Sequence, residues 1–437
     1  MKAAAYEAIH RRGDEFVALS KEILNGPEPG YREHKAAALV AGRLRGLGIS
    51  LEEGLAITGM KGMLEGGGGP GPTVAVIGEL DSHIVRGHPF ADPDTEAAHA
   101  CGHHTQPGQL VAAAVGLQAA GVMDGLAGNV ALIAVPAEEY IEIGFRNELR
   151  REGKLEFLVG KSEFVKLGKF DDVDIAMMTH TDSVGNDGGF NVGGTFNGMV
   201  AKLVQFHGVS AHAGSEPHAG VNALNAATLA LSAIHAQRET FLNEDTIRVH
   251  PIITRGGGAV SAVPDDVRIE TFIRGRTMDA VLSAAAKVDR SLRSGAMAMG
   301  ASVTITTIPG YLPVRNDDAM QAIHTANVDG LIGRGRVNQR GHETGSSDMG
   351  DLAALMPVIH PFVAATSGRP HGVDYVVEDY ETAVLTSAKA MVATVIDLLA
   401  DGAQKGRKIV EDYEPDFTKE AYLAKLRSFA GEETFRE

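Results

Sequence analysis

Cysteine, tryptophan, other aromatic residues and basic charge are all scarce in this sequence. The 437 residues contain one cysteine and no tryptophan, and aromatic residues make up 5% of the chain. A single cysteine cannot form an internal disulfide, so the cysteine count argues against a disulfide-stabilised secreted domain. The formal net charge of −16 opposes non-specific nucleic-acid binding, which needs a basic surface.

Targeting signals and membrane spans are also missing from the sequence pattern. The stretch MKAAAYEAIHRRGDEFV carries charges where a signal peptide needs an apolar core. No apolar run reaches the roughly 18–20 residues of a membrane span. We therefore expect a cytoplasmic protein with neither a membrane nor a nucleic acid as its partner. Because single cores stop growing near roughly 250–300 residues, more than one domain is expected.

Short apolar strands and helical patterns alternate in the first part of the chain. The segments TVAVIGELD (73–81), GNVALIAVPAEEY (128–140) and DVDIAMMTHTD (172–182) indicate buried strands that end in acidic or histidine side chains. The segment 110–121 between them indicates a helix. Ligands of such α/β sheets bind outside the carboxyl ends of the strands, so these ends predict the site.

The pattern changes near Gly193. Residues 193–310 follow the order strand–helix–strand–strand–helix–strand, which is the ferredoxin-like α+β plan. The α/β pattern then resumes and ends in a long helix over 379–400. We therefore expect an α/β catalytic domain formed by 1–192 and 311–437, with 193–310 inserted as a smaller domain.

Five side chains suit a divalent transition metal, which prefers imidazole, thiolate and carboxylate ligands. They are spread over 270 positions, so they form one site only if the fold brings them together: Cys101, His103, Glu139, His180 and His371. The adjacent carboxylates of Glu138 and Glu139 allow one to bind metal while the other accepts a proton, as metal-assisted hydrolysis requires.

Each of these residues also has an ordinary structural interpretation. A lone buried cysteine often acts as a small hydrophobic residue, which applies to Cys101. The pair Glu138–Glu139 fits a solvated end of a strand, His180 a hydrogen-bonded core histidine, and His371 a surface loop. The joint pattern is more specific than any single member.

Longer blocks of sequence resemble the M20 family of metal-dependent amidohydrolases and peptidases over nearly the whole chain. The blocks are GPEPGYREHKAAALVAGRLRGLGI, GELDS, ACGHH, VPAEE, MMTH, HGVSAHAGSEPHAGVNAL, ITRGGGAVSAVPDDVRI, GSSDMGDL and RPHGVDY. They are most similar to the branch that includes hippurate, auxin-conjugate and p-aminobenzoyl-glutamate hydrolases. The family also includes an aminohydrolase that acts on nitroanthranilate.

The resemblance implies one or two metal ions in the site. Cys101 would bridge two ions as a thiolate. His103 and His180 would bind one ion, and Glu139 and His371 the other. Ligands of these types suit Mn, Zn, Co or Ni.

Further roles are implied by the same resemblance. Glu138 would be the general base, and Asp81 would orient a ligand. His212 on the inserted domain would stabilise negative charge that develops on the substrate. Asn222 and Arg274 would hold the substrate, with Arg274 suited to a carboxylate. The ordinary alternatives are a helix N-cap for Asn222 and an exposed strand arginine for Arg274.

Two features depart from the family pattern. His104 stands where this branch commonly has Asp or Asn, so we expect it to line the pocket and bind substrate. The segment 140–165 is similar to an insertion and contains Arg146, Arg150 and Arg151. These arginines either help to bind an anionic substrate or form a solvated helix face.

Three hypotheses for the function follow. The first is hydrolysis of a C–N bond in a small carboxylate-bearing N-acyl or aryl amide, with Glu138 accepting the proton of water held at the metal. The second is hydrolytic deamination of an electron-poor aminoaromatic acid to a phenol and ammonia. The third is a non-catalytic binding protein, which would predict a broken base or ligand set. The inserted domain is the usual lid and dimer contact of the family, so a homodimer or larger homo-oligomer is expected.

Overall fold

The computed structural model describes residues 1–183 and 189–436. Within these ranges the α-helices are α1 Lys2–Arg11, α2 Gly13–Leu24, α3 His34–Gly46, α4 Thr105–Leu117, α5 Ile143–Arg151, α6 Gly160–Lys166, α7 Ala223–Ala236, α8 Met278–Ala298, α9 Asp318–Ile332, α10 Met349–Ala353, α11 Ser387–Leu399, α12 Gln404–Asp412 and α13 Lys419–Phe429. The strands are β1 Leu51–Leu55, β2 Gly59–Glu65, β3 Thr73–Glu79, β4 His83–Ile84, β5 Ala97–Ala98, β6 Asn129–Val135, β7 Ile175–Met177, β8 His180–Ser183, β9 Phe190–Val192, β10 Thr195–Phe196, β11 Gly198–His207, β12 Arg248–Val249, β13 Ile252–Arg255, β14 Asp266–Gly275, β15 Ser302–Pro309, β16 Val314–Arg315, β17 Val337–Gln339, β18 His342–Glu343, β19 Val358–Ile359, β20 Phe362–Ser367, β21 Val376–Val377 and β22 Gly431–Phe435.

The central sheet carries the predicted strand ends. Its order is β1-β2-β6-β3-β7-β19, and β3 pairs in parallel with both β6 and β7. All seven residues of β3 are buried, as expected of an apolar strand covered on both faces. Because these parallel strands end at the same edge, the chain that follows each of them meets there. The predicted α/β class is therefore confirmed.

Apolar helices cover the sheet. Every residue of α4 is buried, and the helix packs against β3 on one side and α1, α2 and α11 on the others. The stretch Glu381–Leu399, which ends in α11, is long and apolar enough to cross a membrane. The expectation that no run reaches this length is therefore wrong, although 78% of the apolar window is buried inside the protein, as in a core helix.

The inserted domain has the predicted ferredoxin-like plan. Its sheet has the order β12-β14-β11-β15, with β13 also paired to β14, and α7 packs against α8. Burial alternates along β14, because one face of the strand meets the helices and the other does not. We call this domain the lid domain.

The C-terminal strand β22 belongs to the sheet of the lid domain, although its position in the sequence predicted that it would lie in the catalytic domain. β22 pairs antiparallel with β15, from Thr307 opposite Gly431 to Val303 opposite Phe435. The edge of β15 leaves backbone groups free to pair, and the end of the chain supplies a partner strand. Residues 431–435 therefore extend the lid sheet, whereas 311–437 was expected to belong wholly to the catalytic domain.

Candidate active site

A cavity of about 610 Å³ lies between the edge of the central sheet and the lid domain. Its wall on the catalytic side includes Glu138, Glu139 and His371, and its wall on the lid side includes Phe272 and Arg274. Segments far apart in the sequence therefore meet at one cleft, as the strand ends predicted.

The ACGHH turn and the end of the MMTH strand form the first group of candidate ligands. Ligand atoms of Cys101, His103 and His180 lie within 4.8 Å of one another. The Cys101 Sγ atom lies 3.4 Å from His180 Nε2. Gly102 has a φ of 85°, and a Cβ atom there would stand 2.0 Å from the Thr181 hydroxyl oxygen. The turn therefore requires glycine between the cysteine and the histidine.

Asp81 is fully buried and holds members of both ligand groups. One of its carboxylate oxygens lies 3.2 Å from His103 Nδ1, and the other accepts a hydrogen bond of 2.8 Å from the Glu139 amide. This contact turns the Nε2 edge of His103 away from Asp81. Asp81 thus lies where the resemblance placed a residue that orients ligands.

A second group of candidate ligands lies on the cavity wall. It consists of His83, Glu139 and His371, whose ligand atoms lie within 4.8 Å of one another. The His371 Nε2 atom is 3.3 Å from Glu139 Oε1, and 46% of the His371 side chain is exposed. His83 was absent from the sequence-based set, because a single histidine two positions after Asp81 has no distinctive spacing.

The electrostatics of the site separate the two adjacent glutamates. Burial, together with Glu79 and Glu139, raises the pKa of Glu138 well above its usual range. Burial also acts to raise the pKa of Glu139, but His371 and His83 outweigh it and hold that pKa well below the usual range. Glu138 therefore accepts a proton readily while Glu139 stays ionised, which suits Glu138 as a base and Glu139 as a metal ligand.

Cys101 favours its thiolate form. Burial and Glu139 raise the pKa of its thiol, but His180 and His103 act more strongly together and lower that pKa to about 5. A thiolate is the form in which cysteine binds metal.

A buried ion-pair network lies behind Glu138. Lys161 Nζ lies 2.6 Å from Glu79 Oε1 and 2.5 Å from Asp348 Oδ1, and all three side chains are almost fully buried. Glu79, Glu138 and Asp348 also group closely enough to hold a cation, but the ammonium group already pairs with two of them. Lys161 belongs to the 140–165 segment, where no spacing in the sequence distinguished it.

The side chains of both groups fit a divalent transition metal. His103 Nε2 and Glu139 Oε1 are buried and make no well-aligned hydrogen bond within the described residues. Their nearest partners are Glu79 Oε2, 3.2 Å from His103 Nε2, and His371 Nε2, 3.3 Å from Glu139 Oε1. A cation at this position would satisfy both atoms, as buried polar groups require. The sulfur, nitrogen and oxygen donors match those of known transition-metal sites.

Arg274 faces the cavity from β14. Its Nε donates to His250 Nε2 over 3.2 Å, and its guanidinium carbon lies 5.4 Å from the centre of the Phe272 ring. Its side chain is partly buried, so the interpretation as an ordinary exposed strand arginine does not apply. The position agrees with the predicted substrate contact.

The prediction that His104 lines the pocket is wrong. Its side chain is 1% exposed, its Nε2 lies 3.0 Å from the Tyr380 hydroxyl, and its ring lies 5.3 Å from that of His99. His104 is the N-cap residue of α4 and its side chain packs among the covering helices, so it is not part of the cavity wall.

Two predicted residues of the lid domain also lie away from the cavity wall. Asn222 is the N-cap of α7, and its side-chain oxygen accepts hydrogen bonds from the amides of Leu224 and Asn225. The helix-cap interpretation of Asn222 therefore holds, and its predicted contact with substrate stays a prediction, because Asn222 does not line the cavity of the single chain. His212 is exposed, and its Nδ1 accepts from the amides of Gly214 and Ser215.

The arginines of the 140–165 segment contact the protein itself. Arg146 is 1% exposed, and its guanidinium donates to the carbonyl oxygens of Ala137 and Leu158. It therefore supports the backbone just before Glu138 and is neither a solvated helix face nor a substrate contact. Arg151 lies on the outer surface and forms an ion pair of 3.5 Å with Glu432 of β22. Arg150 is not part of the cavity wall either.

Comparison with known proteins agrees with this architecture. Residues 194–295 match the M20 peptidase dimerisation domain. The chain is 26% identical to the Xaa-Arg dipeptidase of Mus musculus over 424 residues, which cover 91% of this chain and 89% of the dipeptidase. It is 28% identical over 265 residues to a p-aminobenzoyl-glutamate hydrolase chain of Escherichia coli K12, covering 58% of this chain and 49% of the hydrolase chain. The crystal structure of a dinuclear metal-binding M20 peptidase from Bacillus subtilis aligns with a TM-score of 0.63 at 17% identity, covering 90% of this chain and 99% of the peptidase.

The fold and the site together define a metal-dependent hydrolase, with an α/β catalytic domain into which a dimerisation domain is inserted. Within that class, the chain is similar to the M20 family of amidohydrolases and peptidases, whose dimerisation domain matches residues 194–295.

Proposed function

We propose that the protein hydrolyses the C–N bond of a small amide that carries a carboxylate. The observation that carries this proposal is the position of Glu138, whose pKa is raised by burial, on the wall of a cavity that Arg274 faces from the lid domain. The cavity therefore offers a base at one side and a cation for an anionic substrate at the other.

The proposed cofactor is one or two ions of Mn, Zn, Co or Ni. Cys101, His103 and His180 would hold one ion, and Glu139 and His371 the other, with the Cys101 thiolate shared between them. When bound, such ions polarise a carbonyl group and lower the pKa of water.

Glu138 moves the proton in this proposal. Its carboxylate takes a proton from the attacking water, and the resulting carboxylic acid gives that proton to the nitrogen of the leaving amine. The raised pKa suits both steps, because a base of higher pKa accepts a proton more readily at neutral pH. The Tyr311 hydroxyl donates a hydrogen bond to the backbone carbonyl oxygen of Glu138, which fixes the base in the wall.

Arg274 would bind the carboxylate of the substrate. Its Nε is engaged by His250, so the terminal nitrogens of the guanidinium remain for a ligand in the cavity. The two relatives are named for an Xaa-Arg dipeptide and for p-aminobenzoyl-glutamate, and both compounds contain an amide bond beside a carboxylate. These names support the chemical class without selecting one substrate.

The other two hypotheses have less support. Deamination of an aminoaromatic acid was favoured by a pocket altered at His104, but that side chain contacts Tyr380 outside the cavity wall. A non-catalytic protein would have lost its base or part of its ligand set, whereas Glu138 and both ligand groups converge.

The experiment is a substrate panel with the metal-loaded protein. N-acyl amino acids, dipeptides and p-aminobenzoyl-glutamate are incubated and their products identified by mass spectrometry, and ammonia is measured with aminobenzoates. The Glu138→Gln variant should keep its metal content and lose turnover, while the matched control Glu148→Gln, on the exposed side of α5, should stay active. Full activity of Glu138→Gln would refute the role of Glu138, and ammonia release without amide cleavage would favour the deaminase.

We also propose that two copies associate through the lid domain. Residues 194–295, which match a dimerisation domain, support this arrangement. Light scattering coupled to size-exclusion chromatography should give a homodimer or a larger homo-oligomer, and a monomer at micromolar concentration would contradict the proposal.

A further inference from the structure

His83 is a histidine on the cavity wall that the sequence-based ligand set did not include. It belongs with Glu139 and His371 to one group of potential ligand atoms, and the rings of His83 and His371 stack with their centres 4.4 Å apart. In the proposed function, the metal held by Glu139 and His371 has only two side chains of its own besides the shared thiolate.

The backbone holds His83 firmly beside this group. His83 follows Asp81 by two positions and begins β4, where it pairs with Ala98 of β5. The chain continues from Ala98 to Cys101 in three residues, so His83 and Cys101 are positioned by the same short strand pair. The position of His83 therefore depends on elements that also place the other candidate ligands.

The ring of His83 is oriented like that of a metal ligand. Its Nδ1 lies 2.9 Å from the carbonyl oxygen of Ile84 and 2.8 Å from the amide nitrogen of the same residue, so the backbone occupies Nδ1 and leaves Nε2 as the nitrogen that can meet a ligand. His180 repeats this contact, with Nδ1 at 2.7 Å from the carbonyl oxygen of Thr181. Histidines that bind metal through one nitrogen usually donate the other N–H to a carbonyl or carboxylate. In the tautomer with a proton on Nδ1, the Nε2 lone pair of His83 is free for a cation.

We propose that His83 is a third ligand of the metal site formed by Glu139 and His371. The two groups then contribute three side chains each, with Cys101 lying between them. The proposal rests on the metal site of the proposed function but not on its substrate. The competing explanation is that His83 only supports His371 by ring stacking.

Metal binding distinguishes these explanations directly. Zinc is titrated into the metal-free protein in the presence of a competing chelator, and bound zinc is counted by elemental analysis. His83→Phe keeps a ring to stack on His371 but has no nitrogen, and His83→Ala removes both. His218→Phe, at an exposed lid position, is the matched control. Circular dichroism checks folding, and His83→Gln replaces any variant that does not fold.

The expected result is two zinc ions per wild-type chain and a selective loss in the variants. Both His83→Phe and His83→Ala should bind one zinc ion with wild-type affinity and the other with an affinity at least about tenfold lower. Loss of a residue that only orients a metal ligand already lowers metal affinity by about tenfold, and loss of a ligand should lower it at least as much. The control should match the wild type. X-ray absorption spectra at the zinc edge should also show one imidazole ligand fewer in His83→Phe than in the wild type.

If His83→Phe bound both zinc ions with wild-type affinity, the proposal would be overturned. If only His83→Ala lost zinc affinity, the role of His83 would be to support His371 by ring stacking. A wild-type protein that binds both ions and cleaves no amide would refute the proposed function while leaving this ligand assignment intact.

Discussion

Replacement of Lys161 by methionine tests the buried ion-pair network behind the candidate base. The ammonium group lies between the carboxylates of Glu79 and Asp348, and none of the three side chains is more than 1% exposed. Methionine keeps most of the apolar volume of the lysine stem but removes the charge. Asp348 then remains buried without its cation, and Glu79 keeps only the contact of 3.2 Å between its Oε2 and His103 Nε2.

The expected cost is large because the partners cannot reach water. Removal of one partner from a buried ion pair typically lowers the free energy of unfolding by about 3–5 kcal/mol. Burial raises the pKa of Asp348 to about 6 even with Lys161 present, so at pH 7 the carboxylate is largely ionised. Without the lysine its folded-state pKa rises further above the unfolded value. The folded variant then binds more protons than the unfolded chain, so its deficit should shrink as the pH falls below 7.

Urea unfolding of the metal-free protein, followed by circular dichroism at pH 7 and pH 5.5, measures this effect. The control is Lys154→Met in the same 140–165 segment, because Lys154 pairs with Glu152 over 2.8 Å while more than half of each side chain is exposed. Its loss should cost at most about 1 kcal/mol. If Lys161→Met were as stable as Lys154→Met at pH 7, the network would contribute no more than a surface pair, and the reasoning would be wrong.

Three further substitutions give distinct readouts. Asp81→Asn should weaken metal binding by about 10–100-fold in a chelator competition, because it removes the carboxylate beside His103; unchanged affinity would show that Asp81 does not orient the ligand. Arg274→Ala should raise KM for substrates with a carboxylate far more than for their neutral amides, and an equal change for both would exclude a carboxylate contact. Burial and Asp348 raise the pKa of Asp351 to about 8, so the folded state holds a proton that the unfolded chain releases above about pH 4. Stability should therefore fall as the pH rises from 4 to 8, and Asp351→Asn should flatten that dependence in urea unfolding; an equal slope in both proteins would contradict it.

Several parts of the fold and site could be predicted from local sequence. Apolar strands such as β3 and β6 are recognisable because buried parallel strands have near-continuous apolar runs, and their carboxyl ends share an edge. That edge brings together Cys101, Glu139 and His180, which are far apart in the chain. The lid domain was also predictable, since its alternating strands and amphipathic helices have clear periods.

The direction of individual side chains was not predictable in the same way. His103 and His104 are adjacent in the turn that leads into α4, and their side chains leave that turn in different directions. One therefore reaches Asp81 and the first ligand group, while the other turns to Tyr380. The prediction for His104 treated neighbours in sequence as neighbours in space.

By itself, the sequence determined the class of the fold, the inserted domain and the identities of the side chains able to bind metal, because these depend on apolar periodicity and on residue chemistry. Only the tertiary structure decided that Lys161 pairs with Glu79 and Asp348, and that His83 stacks on His371 beside Glu139. Those contacts join segments without any common period, and distance and burial, which determine their energies, exist only after the chain has folded.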